Sequence, residues 1–222
     1  MTPPGLRWVC GGGLALTLLL GGGGCTVAGA VLYKTVGPLP VDAQYVLEQK
    51  PTLVLVERYS GGAGGGGVEA AQESEGLARA IQQALEEKQL APQVDPMSVS
   101  DLRLRDPMAF RVMPVSRIGR EVGAEQVLYV NLLQSTLRST EGSELSRGQM
   151  AVRVKVVDAA TGRVLWPGDQ ADGYPVSIQT PLSSAREGIP PQVIRSNMTR
   201  QMADRIAKLF YRHQPIYDEP PE

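Results

Sequence analysis

The segment Gln149–Val157 is the clearest strand in the chain, and its pattern limits the folds that the chain can adopt. Four apolar side chains face one way, at Met150, Val152, Val154 and Val156, and mostly polar ones face the other way. A strand with this period has one buried and one solvated face, which is typical of antiparallel pairing. The turn residues Asp158–Gly162 follow it and predict a hairpin, with Arg163–Trp166 as the return strand.

Two further strands and two long helices complete the predicted frame. The continuous apolar run Leu53–Val56 predicts a strand that is buried on both faces, and Gln126–Leu133, extending to about Leu137, predicts another. Apolar residues with helical spacing predict helices over Glu69–Leu90 and Pro191–Arg212. Strands and helices in this order indicate an α/β fold, with a mixed sheet of about 4–6 strands and the two long helices packed on it.

Shorter elements are expected between these. Ala91–Val94 is predicted as a short strand, and Met97–Pro107 is interpreted as a polar stretch. Pro114–Val122 predicts a short helix that ends at Gly123, since glycine adopts the left-handed conformation at a helix C-terminus at low cost. Tyr174–Gln179 predicts a last strand, which Pro175 restricts to a sheet edge.

Charge and cysteine content exclude several classes of protein. The formal net charge of the 222 residues is −1, so the basic footprint of a nucleic-acid-binding protein is absent and no nucleic-acid partner is expected. The two cysteines, Cys10 and Cys25, both lie in the apolar N-terminal segment. The remainder of the chain therefore has neither a disulfide framework nor a thiolate metal site.

The N-terminal segment has the features of a targeting sequence. Arg7 precedes an uncharged run, Trp8–Tyr33, whose compact apolar part is Leu14–Leu20, and four glycines then lead to Cys25. This order resembles a bacterial lipoprotein signal peptide, although Gly22 occupies the position where that family prefers a branched apolar residue. The resemblance implies that Cys25 becomes the first residue of the mature chain and carries the lipid.

Two alternatives to lipidation remain open from the residues alone. The run Trp8–Tyr33 is long enough for an uncleaved membrane anchor, which requires about 20 residues, although its glycines make it a poor helix. An ordinary cleaved secretory signal is the third interpretation. All three place the domain outside the cytoplasm if the orientation follows Arg7.

The predicted organisation has four parts. Residues 1–24 form the signal peptide, 25–50 the lipidated cysteine and a tether, 51–213 a single α/β domain, and 214–222 a disordered tail. Thr26 follows the cysteine where an aspartate would favour retention at the inner membrane, so an envelope location facing the periplasm is expected, with the outer membrane slightly favoured.

Two local motifs carry a resemblance to a known group of domains. One is the helix-to-strand junction Ile118–Leu128 (IGREVGAEQVL), and the other is the hairpin Val157–Trp166 (VDAATGRVLW). With the element order, they resemble the anticodon-binding-like α/β domain of periplasmic proteins such as the N-terminal domain of TolB, the curli-secretion lipoprotein CsgG and the penicillin-binding-protein activator LpoB. The resemblance covers about Thr52–Tyr211 and implies a fold, with no binding residue carried over.

Residues that could support catalysis, metal binding or cofactor binding are interpreted as structural. His213 is the only histidine and lies beyond the last helix, and Gly61–Gly67 lacks the Lys and Ser/Thr that a phosphate-binding loop requires. The charged cluster at positions 95–106 suits solvated loops near a helix start better than glycosidic acid/base chemistry. The sequence therefore predicts a protein without enzymatic activity, cofactor or metal, and it leaves a hydrolase or a ligand-binding protein as an alternative class.

Function is expected to depend on binding. The lead hypothesis is an adaptor or regulator that membrane lipid holds through the N-terminus and that binds an unidentified envelope protein. The alternative is an oligomeric auxiliary component of an envelope transport or secretion assembly, with a homo-oligomer possible. Candidate partner-facing residues lie on the basic face of the last helix, at Arg195, Arg205 and Lys208. Trp166 is expected in the core, or exposed as a partner anchor.

Overall fold

A mixed sheet centred on one long strand organises the domain Asp42–His213. The computed structural model describes residues 39–58, 68–139, 145–180, 183–184 and 190–215. Within these residues the six strands are β1 (Thr52–Arg58), β2 (Gln126–Ser139), β3 (Leu145–Asp158), β4 (Val164–Trp166), β5 (Tyr174–Gln179) and β6 (Ser183–Ser184). The first two are parallel, and β3 pairs antiparallel with β2 on one side and with β4, β5 and β6 on the other. The predicted α/β class with a mixed sheet is confirmed.

Helices cover both faces of the part of the sheet near β1. In the described part of the chain they are α1 (Val68–Glu87), α2 (Met97–Arg105), α3 (Pro107–Val112), α4 (Val115–Glu121) and α5 (Pro191–Ala207), the last followed by a 3-10 turn (Lys208–Phe210). Because alternate residues of a strand point to opposite faces, Val54 and Val56 meet α1 and α5 in one core cluster. Leu53 and Leu55 belong to a second cluster with α2, α3 and α4.

The main cluster has the composition that the sequence predicts. The apolar stripe of α1 is buried at Leu77, Ile81 and Leu85, and the alternating residues of β3 belong to the same cluster. Trp166 is a core residue, only 9% exposed, with its ring centre 5.1 Å from that of Tyr174 and 5.8 Å from that of Phe210. Its predicted core position is confirmed, and the alternative of an exposed anchor is wrong.

Two turn glycines take the conformations predicted for them. Gly123 ends α4 with a φ of 77°, and Gly162 closes the hairpin with a φ of 74°. Both values lie in the left-handed region, where a Cβ atom is unfavourable. The two motifs that carry the family resemblance therefore act as turns in this fold.

Three predicted elements differ in the structure. Ala91–Val94 forms no strand and contributes one parallel bridge, between Thr52 and Gln93. The stretch Met97–Pro107 is helical, since it contains α2 and the start of α3. The α-helical part of the last helix ends at Ala207, five residues before the predicted end, because the chain tightens into the 3-10 turn.

The predicted tether is wrong for its last residues. Leu47 is 3% exposed in the main cluster, and the Gln44 backbone N–H donates to the Leu209 carbonyl at 2.7 Å. The amide Nε2 of the buried Gln126 donates to the Glu48 carbonyl at 2.7 Å and to the Thr52 hydroxyl at 2.8 Å. Residues 42–50 are therefore part of the domain. Cys25 and the rest of the predicted tether up to residue 38 lie outside the described residues, as do residues 216–222 of the predicted tail.

Candidate partner-binding surface

The basic face of α5 and of the 3-10 turn after it holds the three residues predicted to meet a partner. The helix begins at Pro191, whose fixed φ suits a first helical position, and its apolar stripe faces α1 and the sheet. The stripe is buried at Ile194, Met198, Met202 and Ile206. The opposite side of the helix is therefore left for polar and basic side chains.

The three basic residues differ in their contacts with the rest of the domain. The Arg205 guanidinium donates to the Ser177 carbonyl on β5 at 3.0 Å, and the Lys208 ammonium pairs with the Asp204 carboxylate at 2.7 Å. Arg195 lies near the other end of α5, is exposed, and has no ion pair with any described residue. Two of the predicted partner-facing residues thus bind their own domain, and Arg195 is the one without an ion pair among the described residues.

Arg195 lines a cleft of about 530 Å³ between α1, α5 and the far halves of β1 and β2. The cleft lies outside the carboxyl end of the parallel strand β1, a common position for ligands in open α/β sheets. Its lining includes hydroxyls from Ser135, Thr136, Ser196 and Thr199.

The carboxylate of Glu73, which is paired with other side chains, forms one wall of this cleft. Glu73 on α1 pairs with the Arg58 guanidinium at 3.0 Å, and the Ser135 hydroxyl donates to its other oxygen. The Glu73 side chain is only 25% exposed, so the arginine and the hydroxyl replace water around its charge. Both oxygens of this carboxylate are occupied, whereas a general base needs a free one, so the arrangement is suited to binding and to holding shape.

The predicted charged cluster at positions 95–106 is dispersed by the fold. Asp95 and Asp106 accept backbone N–H groups at the starts of α2 and α3, the latter from Met108 at 3.1 Å and from Ala109 at 2.9 Å. Arg103 pairs with Glu75 on α1 at 3.3 Å, across a small cavity of about 100 Å³ beside β1. The acidic residues with defined partners here act as helix caps, as the structural interpretation expects.

One titratable pair was missed by sequence reasoning. The Tyr129 hydroxyl donates to a Glu57 carboxylate oxygen at 3.0 Å, and burial together with the Glu57 charge raises the pKa of Tyr129 far above its usual value. The pair forms because β1 and β2 are parallel, with Leu55 opposite Tyr129, so that Glu57 is its diagonal neighbour. Only the register reveals this contact, and no sequence signal points to it.

Two residues singled out from the sequence have structural contacts. His213 is half-buried, and its ring packs edge-on against Tyr211 with centres 5.7 Å apart. Asp158 accepts from the hydroxyl and the backbone N–H of Thr161, both at 2.7 Å, and these hydrogen bonds hold the pKa of Asp158 below its usual value. Cys25 and the glycine run 61–67 lie outside the described residues.

Comparisons with known proteins find likeness in structure alone. No protein-family model matches the chain, and no curated protein matches it. The lipoprotein GNA1162 from Neisseria meningitidis is 13% identical with a TM-score of 0.45, covering 71% of this chain and 97% of its own. A PelC dodecamer from Paraburkholderia phytofirmans is 11% identical with a TM-score of 0.41, covering 78% and 97%.

A third solved structure is the uncharacterized lipoprotein B from Nitrosomonas europaea, 7% identical with a TM-score of 0.37 and covering 77% of this chain and 86% of its own. At these identities the likeness concerns the course of the backbone only. The predicted kinship with TolB, CsgG and LpoB stays a prediction, and so does every statement about partners.

Proposed function

We propose that this chain is a bacterial envelope lipoprotein without enzymatic activity, whose α/β domain binds a protein partner as an adaptor or regulator. The observation that carries the proposal is the order of residues before Cys25: one arginine, the apolar run Leu14–Leu20, and four small residues. A segment of this length matches the apolar region of a signal peptide. In the described residues, no helix is long and apolar enough to cross a membrane.

The described part of the domain supports a binding role. A polar cleft in it is lined by hydroxyls and by a carboxylate that is already neutralised by Arg58, and Arg195, which has no ion pair with a described residue, stands at the edge of this cleft. A guanidinium at the rim of a polar cleft can pair with a carboxylate of a partner in two-point fashion. The acidic side chains at the helix starts are committed to capping.

The lipid anchor is tested by two matched cysteine substitutions. Cys25→Ser and Cys10→Ser are expressed in the native host, and the membrane and soluble envelope fractions are compared with those of the wild type. Cys25→Ser is expected to block maturation, because serine offers no thiol to the acyl donor. The variant should keep its signal segment and migrate as a longer precursor, whereas Cys10→Ser should mature normally.

The rival interpretations give different results in the same experiment. An uncleaved anchor predicts that wild type and both variants have one identical length and are all membrane-bound. A secretory signal predicts that all three are shortened and soluble. Either pattern would overturn the lipoprotein assignment.

The binding role is tested on Arg195. With a photoreactive amino acid at Gln72, also a cleft residue, the domain is expected to form a defined crosslinked species in living cells. Arg195→Glu should reduce the yield of that species severalfold, because it replaces an attractive charge by a repulsive one. Arg200→Glu, an equal charge change elsewhere on α5, is the control. Equal yields in both variants would remove Arg195 from the interface.

A further inference from the structure

The helices α2 and α3 carry a large share of the exposed aliphatic side chains of the domain. Met97, Leu104, Met108 and Val112 are 63%, 78%, 72% and 82% exposed. They are four of the ten exposed large hydrophobic residues found among the described positions, and all lie between residues 97 and 112. Such a concentration indicates a surface that meets something other than water.

The spacing of these residues assigns them to the outer sides of the two helices. Met97 and Leu104 are seven residues apart, which is two helical turns, so they share one face of α2. Met108 and Val112 are four residues apart and share one face of α3. The inner sides are fixed in the second core cluster through residues that include Val99 and Phe110.

The two helices are held to each other and to the rest of the domain. The Arg103 guanidinium lies 4.9 Å from the centre of the Phe110 ring and also pairs with Glu75 on α1. The Asp106 carboxylate caps α3. The charges of Arg103 and Asp106 are therefore used in contacts within the domain. These contacts hold α2 and α3, and with them the aliphatic surface, in place.

Exposed arginines flank the aliphatic residues. Arg105 and Arg111 are exposed, and neither has a hydrogen bond or an ion pair with a described residue. Asp101 is also exposed, and it lies on the same face of α2 as Met97 and Leu104. The available charges of this surface are therefore two positive and one negative, in a chain whose net charge is −1.

We propose that the surface formed by α2 and α3 docks on an anionic lipid bilayer. Aliphatic side chains enter the boundary between headgroups and acyl chains, while arginines beside them meet the phosphates. Phe110, the only aromatic residue in 97–112, is buried, so the exposed apolar residues of this surface are all aliphatic. The inference rests on the proposed lipid anchor, which keeps the domain close to a membrane.

The test uses the acylated full-length protein with a fluorophore at Met108→Cys. The native Cys25 carries the lipid in the proposed mature chain and Cys10 is removed with the signal peptide, so the new thiol is the single labelling site. The protein is reconstituted in vesicles of phosphatidylcholine alone, and in vesicles with an equal part of phosphatidylglycerol. The label is environment-sensitive, and its accessibility is measured by aqueous iodide quenching.

On the anionic vesicles the Met108 label is expected to shift its emission to shorter wavelength and to become less accessible to iodide. A label at Glu86→Cys, an exposed position near the end of α1 on the opposite side of the sheet, should stay accessible on both vesicles. Replacing Arg105 and Arg111 by Gln should weaken the preference for anionic lipid by about fivefold per arginine. Asp101→Asn should strengthen it.

Two results would overturn the proposal. In the first, the Met108 label stays as accessible as the Glu86 label on both kinds of vesicle. In the second, it is shielded in native envelope membranes but never on protein-free vesicles, which would assign the surface to a protein partner. The mass of the N-terminal peptide is measured before reconstitution. An unacylated Cys25 would contradict the proposed lipoprotein function, whereas the two results above, obtained with acylated protein, would contradict the membrane docking of α2 and α3.

Discussion

Gly119 in α4 lies at a close approach between this helix and the sheet. A Cβ atom added there would lie 2.6 Å from Val127 Cγ2 and 3.1 Å from Ala159 Cβ. Gly119→Ala is therefore expected to lower the free energy of unfolding. Overpacking a rigid core costs about 1–3 kcal/mol, and the gain in helix propensity of about 1 kcal/mol offsets only part of it.

Gly76 in α1 is the matched control for Gly119, because a Cβ atom there meets no atom within 4 Å. Gly76→Ala should raise the free energy of unfolding by about 0.5–1 kcal/mol, since alanine loses less backbone entropy in a helix. Denaturant unfolding of both variants measures the difference. If Gly119→Ala raised the free energy of unfolding as well, the close approach of α4 to β2 would be refuted.

The hairpin turn after β3 gives a prediction for the effect of pH. The Thr161 hydroxyl, and then its backbone N–H, lower the pKa of Asp158 from its ordinary 3.8. A carboxyl with a lowered folded-state pKa stabilises the fold above its unfolded-state pKa and loses this contribution as pH falls through the folded-state pKa.

Asp158→Asn should therefore be less stable than wild type near neutral pH, and the two should converge below pH about 4. Denaturant midpoints measured across this range give the comparison. A difference that is constant with pH would show that the carboxylate charge plays no part in the turn.

For single residues, the sequence predicts the glycines that end helices and turns, but it does not predict contacts that depend on how the strands are aligned. Gly123 and Gly162 were predictable because each ends a pattern that needs a left-handed residue. The partly buried hydrogen bond from Gln126 to Glu48 joins residues 78 apart, and it exists only because the start of β2 lies beside the chain that enters β1. A polar residue at a strand start gives no sign of such a partner.

The segment before β1, residues 42–50, belongs to the domain and moves the start of the domain ahead of the predicted residue 51. Leu47→Ala is expected to lower the free energy of unfolding by about 2–5 kcal/mol, because it removes a buried side chain from the main cluster. The neighbouring Val46 is 74% exposed, so Val46→Ala should change the stability by less than about 0.5 kcal/mol. Thermal or denaturant unfolding compares the two, and equal small effects would restore residues 42–50 to the tether.

The sequence did not reveal this segment because its signal is short. Leu47 is a single apolar residue among polar neighbours, without the period of a strand or helix. Helices α2 and α3 were missed for a related reason: Leu104 and Met108 point outward, which breaks the one-sided pattern that identifies a surface helix. The long periodic elements, α1, β3 and α5, were predictable because burial on one face dominates their composition.

For the whole molecule, the fold could be predicted from the sequence, whereas the partner-facing surface could not. The mixed sheet follows from strand and helix patterns that each segment carries by itself, so it was predictable. The partner-facing surface did not follow, because the contact of Arg205 with Ser177 depends on where α5 lies on the sheet. Only the placement of all elements shows that Arg195 differs from its neighbours on the helix.

The proposed lipid anchor on Cys25 is tested by the mass of the N-terminal peptide from the membrane fraction. We expect a mature chain that begins at Cys25 and carries two or three acyl chains, with residues 1–24 absent. An intact N-terminus with an unmodified Cys25 would rule out the lipid anchor, because the protein would then be held by a spanning segment.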